Sequence, residues 1–200
     1  MKARRFGVDL KKMDVLARSA EKNRRETEAS VKKELGADLN PRSPKQVKEA
    51  LEKRGLKLKS TDELALVMSG DAAAELVLRS RTAEKRAQMI AAYREAVGPD
   101  GRIHAEFDPL GTATGRFSCR EPNLQNVGRD VEMRSCFVAG PKKVLVIADY
   151  SQIELRVAAF LAKEEAMLAA FRSGQDIHAL TAGKLAGKAV GKVSEEERKL

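Results

Sequence analysis

The segment VLVIADYSQIELRVAAFLA, residues 144–162, constrains the fold of this 200-residue chain more than any other. Its first part is a short, continuous apolar run that stops at Asp149, a pattern typical of a strand buried on both faces. Its last part repeats apolar residues at helical spacing from Ile153 to Leu161. We therefore predict a buried strand, a polar turn and a helix, with a second carboxylate, Glu154, in the first helical turn.

The first third of the chain is predicted to be helical and highly charged. Apolar residues recur at helical spacing between residues 10 and 35, with Lys, Arg and Glu between them, and Gly36 suits the helix end. Three further helix starts are indicated by residues that favour helix N-termini: Ser43 before Pro44, Ser60, and Asp71. The last of these helices is predicted to continue to about Val97.

The helical pattern is broken by Gly98, Pro99 and Gly101. The segment RIHAEF then alternates between apolar and polar residues and predicts a strand, with which the small, β-prone GTATGRFS is predicted to pair. CREPNLQNVG predicts an irregular loop, and short helices separated by SGQD and GKAVGK are predicted near the C-terminus. Together these patterns predict an α+β protein in which a helical arm is followed by a partial antiparallel β layer with helices.

The charge balance favours a polyanionic partner, either nucleic acid or an anionic membrane surface, because 38 Lys and Arg residues outnumber 29 Asp and Glu residues and leave a net charge of +9. No apolar run approaches the length of a bilayer span, and the N-terminus lacks the apolar core of a signal peptide, so no membrane partner is expected. Cys119 and Cys136 form neither a CxxC pair nor a cluster with His. We therefore expect reduced thiols in a cytoplasmic protein.

The charged residues of the polar turn allow more than one interpretation. Asp149 could bind a hard cation, since Mg²⁺ takes oxygen ligands, or could cap a helix that begins near Ser151. Glu154 could contribute its carboxylate to a functional site or could only interact favourably with the positive end of the helix dipole. Arg156 could be solvated or could pair with an acid. The residues alone leave these alternatives open.

Several segments, in order, resemble those of the family A (bacterial DNA polymerase I-like) DNA polymerases. DYSQIELR resembles motif A, GTATGRFSCREPNLQNV the conserved palm segment, and AFRSGQDIHALTAGKLAG the DIH segment of the fingers. EMRSCFVA, NPRSPKQVKEAL and GRIHAEFDPLGTATGRF are also similar to the family. The resemblance implies a helical thumb-like region at 1–98, a partial palm with motif A at 99–163, and the start of the fingers at 164–200.

The resemblance also implies a site for metal-dependent nucleotidyl transfer. Asp149 would be the catalytic ligand of two Mg²⁺ ions, and the backbone carbonyl of Tyr150 would join it at one of them. The implied contacts to the deoxynucleoside triphosphate are Ser151, Gln152, Glu154, His178 and Arg198. Within this set, Glu154 would exclude a 2′-hydroxyl, and His178 and Arg198 would contact the phosphates.

Primer-template DNA is the other partner that the resemblance implies. The palm residues at the newly formed base pair would be Arg116, Asn123, Gln125 and Asn126. Their side chains suit minor-groove acceptors, which occupy similar places in every pair. Phosphate contacts on the long helix would be Arg79, Lys85 and Arg86. Each assignment has an alternative. The amide segment could be an ordinary turn with self-bonded amides, Arg116 a solvated strand residue, and the three basic residues of the long helix a solvated helix face.

The sequence also departs from the family pattern. Val127 and Gly128 stand where Ile-Pro is usual, the thumb helix lacks the usual Tyr-Arg pair, and most of motif B and all of motif C are absent from the 200 residues. We expect the parent enzyme to extend primers in replication or repair and this chain alone to be inactive. Three alternatives are half of a split polymerase that a second polypeptide completes with motifs B and C, a non-catalytic duplex-binding remnant, and a basic helical scaffold.

Overall fold

The computed structural model describes residues 5–127 and 130–194. The predicted α+β class is confirmed: most described residues are helical, and the strands form small antiparallel sheets. The chain divides into two compact units, Met1–Leu145 and Val146–Leu200. The predicted division into three regions, with breaks after residues 98 and 163, stays a prediction.

Helices form most of the first unit: α1 (Leu10–Leu35), α2 (Pro44–Lys53), α3 (Glu63–Met68) and α4 (Ala72–Glu95). Each begins after a side chain that accepts a hydrogen bond from a backbone N–H of the first turn: Asp9, Ser43, Asp62 and Asp71. The third cap differs from the prediction, because Asp62 accepts from the N–H of Ala65 at 2.8 Å while Ser60 donates to the Asp62 carboxylate. The other predicted helix starts are confirmed.

Two apolar clusters stabilise the first unit, in which α1 packs mainly against α4. The first cluster includes Met13, Ile90, Tyr93, Ile103 and Met133. The second includes Val31, Val47, Leu51, Leu66 and Val77. Burying each large apolar side chain contributes about 1.5–3 kcal/mol relative to leaving it exposed, so these clusters are the main stabilising element of the helical arm.

The first unit also contains two small antiparallel sheets. In the first sheet the order is β2-β1-β5, with β1 at Phe6–Val8, β2 at Arg102–Ile103 and β5 at Phe137–Val138. In the second, β3 (Glu106–Asp108) pairs with β4 (Ser118–Arg120). The single strand predicted for RIHAEF is therefore wrong, because its first residues pair in one sheet and its last residues in the other. A short helix, α5 (Val131–Ser135), precedes β5.

The second unit contains three helices: α6 (Ile153–Ala162), α7 (Glu165–Arg172) and α8 (Ile177–Ala186). Each helix packs against the one before it, α7 against α6 and α8 against α7. These helices confirm the prediction for the C-terminal part. Across the described residues, no helix has the length and apolar character needed to cross a bilayer.

The predicted buried strand before Asp149 is wrong. Residues 143–150 have no regular secondary structure and are exposed, with Val146 86% and Ile147 84% exposed. A strand buried on both faces needs hydrogen-bonded neighbours and covering layers, and among the described residues the strands pair in two sheets that do not include this segment. The predicted apolar stripe of α6 is likewise exposed: Phe160 is 72% and Leu161 74% exposed.

Candidate nucleotide and nucleic-acid sites

The polar turn connects the exposed segment to α6 without a side-chain cap. Helix α6 begins at Ile153, and its N-cap is Gln152, which adopts the left-handed conformation at φ 53° and makes no side-chain capping bond. The alternative that Asp149 caps this helix is therefore wrong. A left-handed non-glycine residue costs of order 1 kcal/mol, so other contacts must hold the turn in this conformation.

Arg156 supplies such a contact. Its Nε donates a hydrogen bond of 2.8 Å to the carbonyl oxygen of Ser151, and its guanidinium lies 4.4 Å from the centroid of the Phe171 ring on α7. Cation–π contacts at exposed sites contribute about 0.5–1 kcal/mol. Arg156 thus contacts a backbone carbonyl and an aromatic ring, a role that differs from both predicted alternatives, a solvated side chain and an ion pair with an acid. This role could not be predicted from the sequence, because Phe171 lies on another helix.

The oxygen donors of the turn suit Mg²⁺ in kind but not in number. Asp149 is exposed and offers a carboxylate, and the backbone of Tyr150 offers a carbonyl, both of which are oxygen ligands that Mg²⁺ accepts. Within residues 5–127 and 130–194, no group of three or more His, Cys, Asp or Glu residues could hold a metal ion. The described residues therefore do not assemble a two-metal site by themselves.

The other predicted nucleotide contacts lie in the second unit. Glu154 is in the first turn of α6, as predicted, and Ser151 is exposed beside it. His178 is exposed in the first turn of α8, where its backbone N–H donates to the capping carboxylate of Asp176 at 2.9 Å. Arg198 lies outside the described residues. These nucleotide-binding assignments stay predictions.

The predicted amide loop presents its polar side chains outward. Asn123, Gln125 and Asn126 are exposed, whereas Leu124 and Val127 pack against the first apolar cluster. A 3₁₀ turn at Leu124–Asn126 produces this alternation. The loop thus has an apolar side that fixes it to the core and an amide side that is open to a ligand.

Two of these amides also make bonds within the protein. The side-chain oxygen of Asn123 accepts from the N–H of Gln125 at 3.0 Å, as the turn interpretation predicts. The side-chain NH₂ of Gln125 donates to the carbonyl oxygen of Phe117 at 2.9 Å. These bonds set the directions of both side chains and leave the exposed Asn126 beside them.

The predicted basic contacts differ in their surroundings. Arg116 and Lys85 are exposed, and Arg79 pairs with Glu75 at 2.6 Å on the surface of α4. Arg86 is not on a solvated face, because it contacts Asp130 at 2.5 Å and Glu132 at 2.9 Å. The Glu132 hydrogen bond and the Asp130 charge raise the pKa of Arg86 above its ordinary value.

A polar cleft of about 480 Å³ in the first unit contains none of the predicted site residues. Its charged side chains contact one another: Arg24 pairs with Glu28 at 2.8 Å, and Arg42 approaches Glu84 at 3.5 Å. Arg81 in the same cleft donates to the carbonyl oxygens of Pro41 and Thr61. We assign no ligand to this cleft, because most of its charged side chains bond within the protein.

The family model described as DNA polymerase family A matches residues 10–200. The chain is 36% identical over 206 residues to DNA polymerase I of Aquifex aeolicus, with 98% of this chain and 35% of that protein covered. It is 35% identical over 185 residues to DNA polymerase I of Mycobacterium tuberculosis, with 82% of this chain and 20% of that protein covered.

A solved structure is also similar: the POL domain of Pol1 from M. smegmatis in complex with DNA primer-template and dNTP. The TM-score is 0.84 at 29% sequence identity, and the match covers 98% of this chain and 37% of that chain. The chain thus spans 35% of the Aquifex relative and 20% of the mycobacterial one.

Proposed function

This chain belongs to DNA polymerase family A, and from that premise we propose that it carries the DNA-gripping part of a primer-extending enzyme. The parent enzyme would add deoxynucleotides to a primer 3′ end on a DNA template, in replication or repair. The observation that carries the proposal is the amide loop, in which the exposed Asn123, Gln125 and Asn126 stand on an apolar side packed to the core. Side-chain amides can donate to the minor-groove acceptors that all base pairs share.

The proposed organisation follows the family order. Residues 1–98 would form the thumb-like arm, residues 99–163 a partial palm with motif A, and residues 164–200 the start of the fingers. Arg116 would join the amide loop at the primer terminus, and the exposed Arg79 and Lys85 would contact duplex phosphates. The net charge of +9 supports such phosphate contacts.

The second unit would supply part of a nucleotide and metal site. Asp149 and the carbonyl of Tyr150 would be this chain's ligands to Mg²⁺, which in a two-metal site stabilises both the attacking and the leaving oxygen. The proposed contacts to the incoming nucleotide are Ser151, Gln152, Glu154, His178 and Arg198. The exposed positions of Ser151, Glu154 and His178 are compatible with ligand binding.

We further propose that the chain alone binds primer-template DNA without extending it. Two metal ions need several carboxylates, and residues 5–127 and 130–194 contain no group of three or more His, Cys, Asp or Glu residues that could hold a metal ion. A second candidate function is a non-catalytic module that binds duplex DNA, which the lack of a metal-binding group among the described residues supports.

Fluorescence anisotropy with labelled primer-template DNA tests the proposed DNA grip. The full chain should bind the duplex, and the binding constant should fall steeply as salt rises, by a log-log slope of about 0.9 for each phosphate contacted. A control protein of equal net charge that does not belong to a nucleic-acid-binding family reports the contribution of charge alone. Binding no tighter and no more dependent on the primer terminus than the control would contradict the proposal.

A further inference from the structure

Tyr93 reaches from the apolar core to the amide loop. It lies near the end of α4, is 2% exposed, and donates a hydrogen bond of 2.8 Å from its hydroxyl to the carbonyl oxygen of Asn123. Its ring contacts the ring of Phe137 edge-on, with the centroids 6.1 Å apart. A buried phenol needs a polar partner, and here that partner is the first residue of the loop turn.

The other hydrogen bonds that hold the loop are longer, and they come from residues of the loop itself or of the segment just before it. The Asn123 carbonyl also accepts from the N–H of Asn126, at 3.4 Å. The Sγ of Cys119 accepts from the N–H of Leu124 at 3.4 Å, and sulfur is a weak acceptor. The hydroxyl of Tyr93 therefore makes the shortest polar contact to the backbone of this turn, and it comes from the helical arm.

The bond is maintained under ordinary conditions. Burial raises the pKa of Tyr93, so the hydroxyl stays protonated and donates at neutral pH. The edge contact with Phe137 and the surrounding apolar cluster leave the ring little freedom to turn away. A fixed ring carrying a fixed donor defines the position of the carbonyl that accepts from it.

We propose that Tyr93 is a positioning residue that sets the geometry in which Asn123, Gln125 and Asn126 face a base pair. This inference rests on the proposed function of the loop. A rigid set of donors distinguishes a matched pair from a mismatch, because a mismatch moves the minor-groove acceptors away from their shared positions. Without the bond, the turn remains attached to the core through Leu124 and Val127, but its amides can shift together.

The test compares the full-length wild type with Tyr93→Phe, which keeps the ring and removes only the hydroxyl. Two primer-template duplexes are titrated by fluorescence anisotropy, one with a matched and one with a mismatched primer terminus. The wild type should prefer the matched end, and Tyr93→Phe should reduce this preference by a factor of about three or more, since one hydrogen bond is lost. The salt dependence should not change, because no phosphate contact is altered.

Ile103→Val is the matched control, because it loosens the same cluster by one methylene and removes neither the Tyr93 hydroxyl nor the Phe137 ring beside it. It should lower thermal stability and keep the wild-type preference. A second readout needs no DNA: hydrogen exchange at the amides of residues 124–127 should become faster by about tenfold in Tyr93→Phe while exchange in α1 is unchanged.

The outcomes separate the two claims. Wild-type exchange at residues 124–127 in Tyr93→Phe, or an unchanged matched-end preference, would overturn the positioning role. An equal loss of preference in Ile103→Val would also overturn it, because the effect would then come from core stability. A wild type without matched-end preference would reject the base-pair grip, and the exchange measurement would then decide the role of Tyr93 alone.

Discussion

The Nε of Arg156 donates a hydrogen bond of 2.8 Å to the backbone carbonyl oxygen of Ser151. The Arg156 side chain therefore extends from α6 back to the turn that precedes this helix. The same guanidinium lies over the Phe171 ring of α7. The turn that follows Asp149 is therefore held by one arginine that connects it to two helices. This arrangement offsets the cost of the left-handed Gln152.

Arg156→Lys should weaken the turn although the charge is kept. Lysine has no planar fork to donate to the Ser151 carbonyl while lying over Phe171, so we expect the second unit to lose about 1 kcal/mol of stability. Hydrogen exchange at residues 151–154 measures the loss locally. Arg172→Lys is the matched control, because Arg172 is exposed on the neighbouring helix α7 and its ion pair with Glu165 is long, at 3.9 Å. Equal effects of both substitutions would show that Arg156 does not hold the turn.

Lys85 and Arg86 are neighbours on α4, and the sequence predicts a phosphate contact for both. Their different surroundings in the structure lead to different expectations for DNA binding. Lys85 is exposed, so Lys85→Gln should lower the salt slope of duplex binding by about 0.9. Arg79→Gln should act similarly. Arg86→Gln should leave the slope near that of the wild type, because its guanidinium is held by Asp130 and Glu132.

The stability of these variants provides the complementary readout. Arg86→Gln should lower the free energy of unfolding by about 0.5–1 kcal/mol, the range for a partly exposed ion pair, and Lys85→Gln should change it little. Urea unfolding of both variants measures this difference. A drop in salt slope for Arg86→Gln as large as that for Lys85→Gln would instead assign Arg86 to a phosphate.

Asp149→Ala should leave duplex binding intact. The carboxylate is exposed and negative, so its removal takes away no attraction to DNA phosphates, and the affinity should change by less than about threefold. Anisotropy titration in Mg²⁺ and in EDTA measures the effect. A loss of binding that appears only in Mg²⁺ would show that a bound metal ion at Asp149 contributes to the DNA grip.

The loss of folding stability at acidic pH should depend on Glu21. Hydrogen bonds from Arg24 and Arg25 hold the pKa of Glu21 at about 2, below its ordinary value of 4.5. Since the folded-state pKa is lowered, the stabilisation is present above pH 4.5 and is lost as the pH falls through about 2. Glu21→Gln should make thermal stability less dependent on pH across this window, and an unchanged profile would contradict the assignment.

Local chemistry made the helices of the first unit predictable from the sequence. Ser43 and Asp71 cap helices through bonds to N–H groups two or three residues away, and Gly36 ends α1 at φ 129°. Such signals lie entirely within a few residues of the chain. They predicted helix boundaries without any knowledge of the tertiary fold.

Contacts between distant residues could not be predicted in the same way. The apolar run before Asp149 resembles a buried strand, yet burial depends on neighbouring strands that its own residues do not specify. Tyr93 is 30 residues from Asn123, and Arg86 is 44 residues from Asp130, so neither pair leaves a local spacing pattern. The residues that position the amide loop therefore become visible only in the folded chain.

Primer extension by the purified chain at saturating primer-template DNA, with Mg²⁺ and all four deoxynucleoside triphosphates, tests the central claim most directly. We predict that the DNA is bound and that the primer is not lengthened, because no group of three or more metal-binding side chains occurs within residues 5–127 and 130–194. Template-dependent extension that is abolished by Asp149→Ala would contradict it, since this chain would then hold a complete active site.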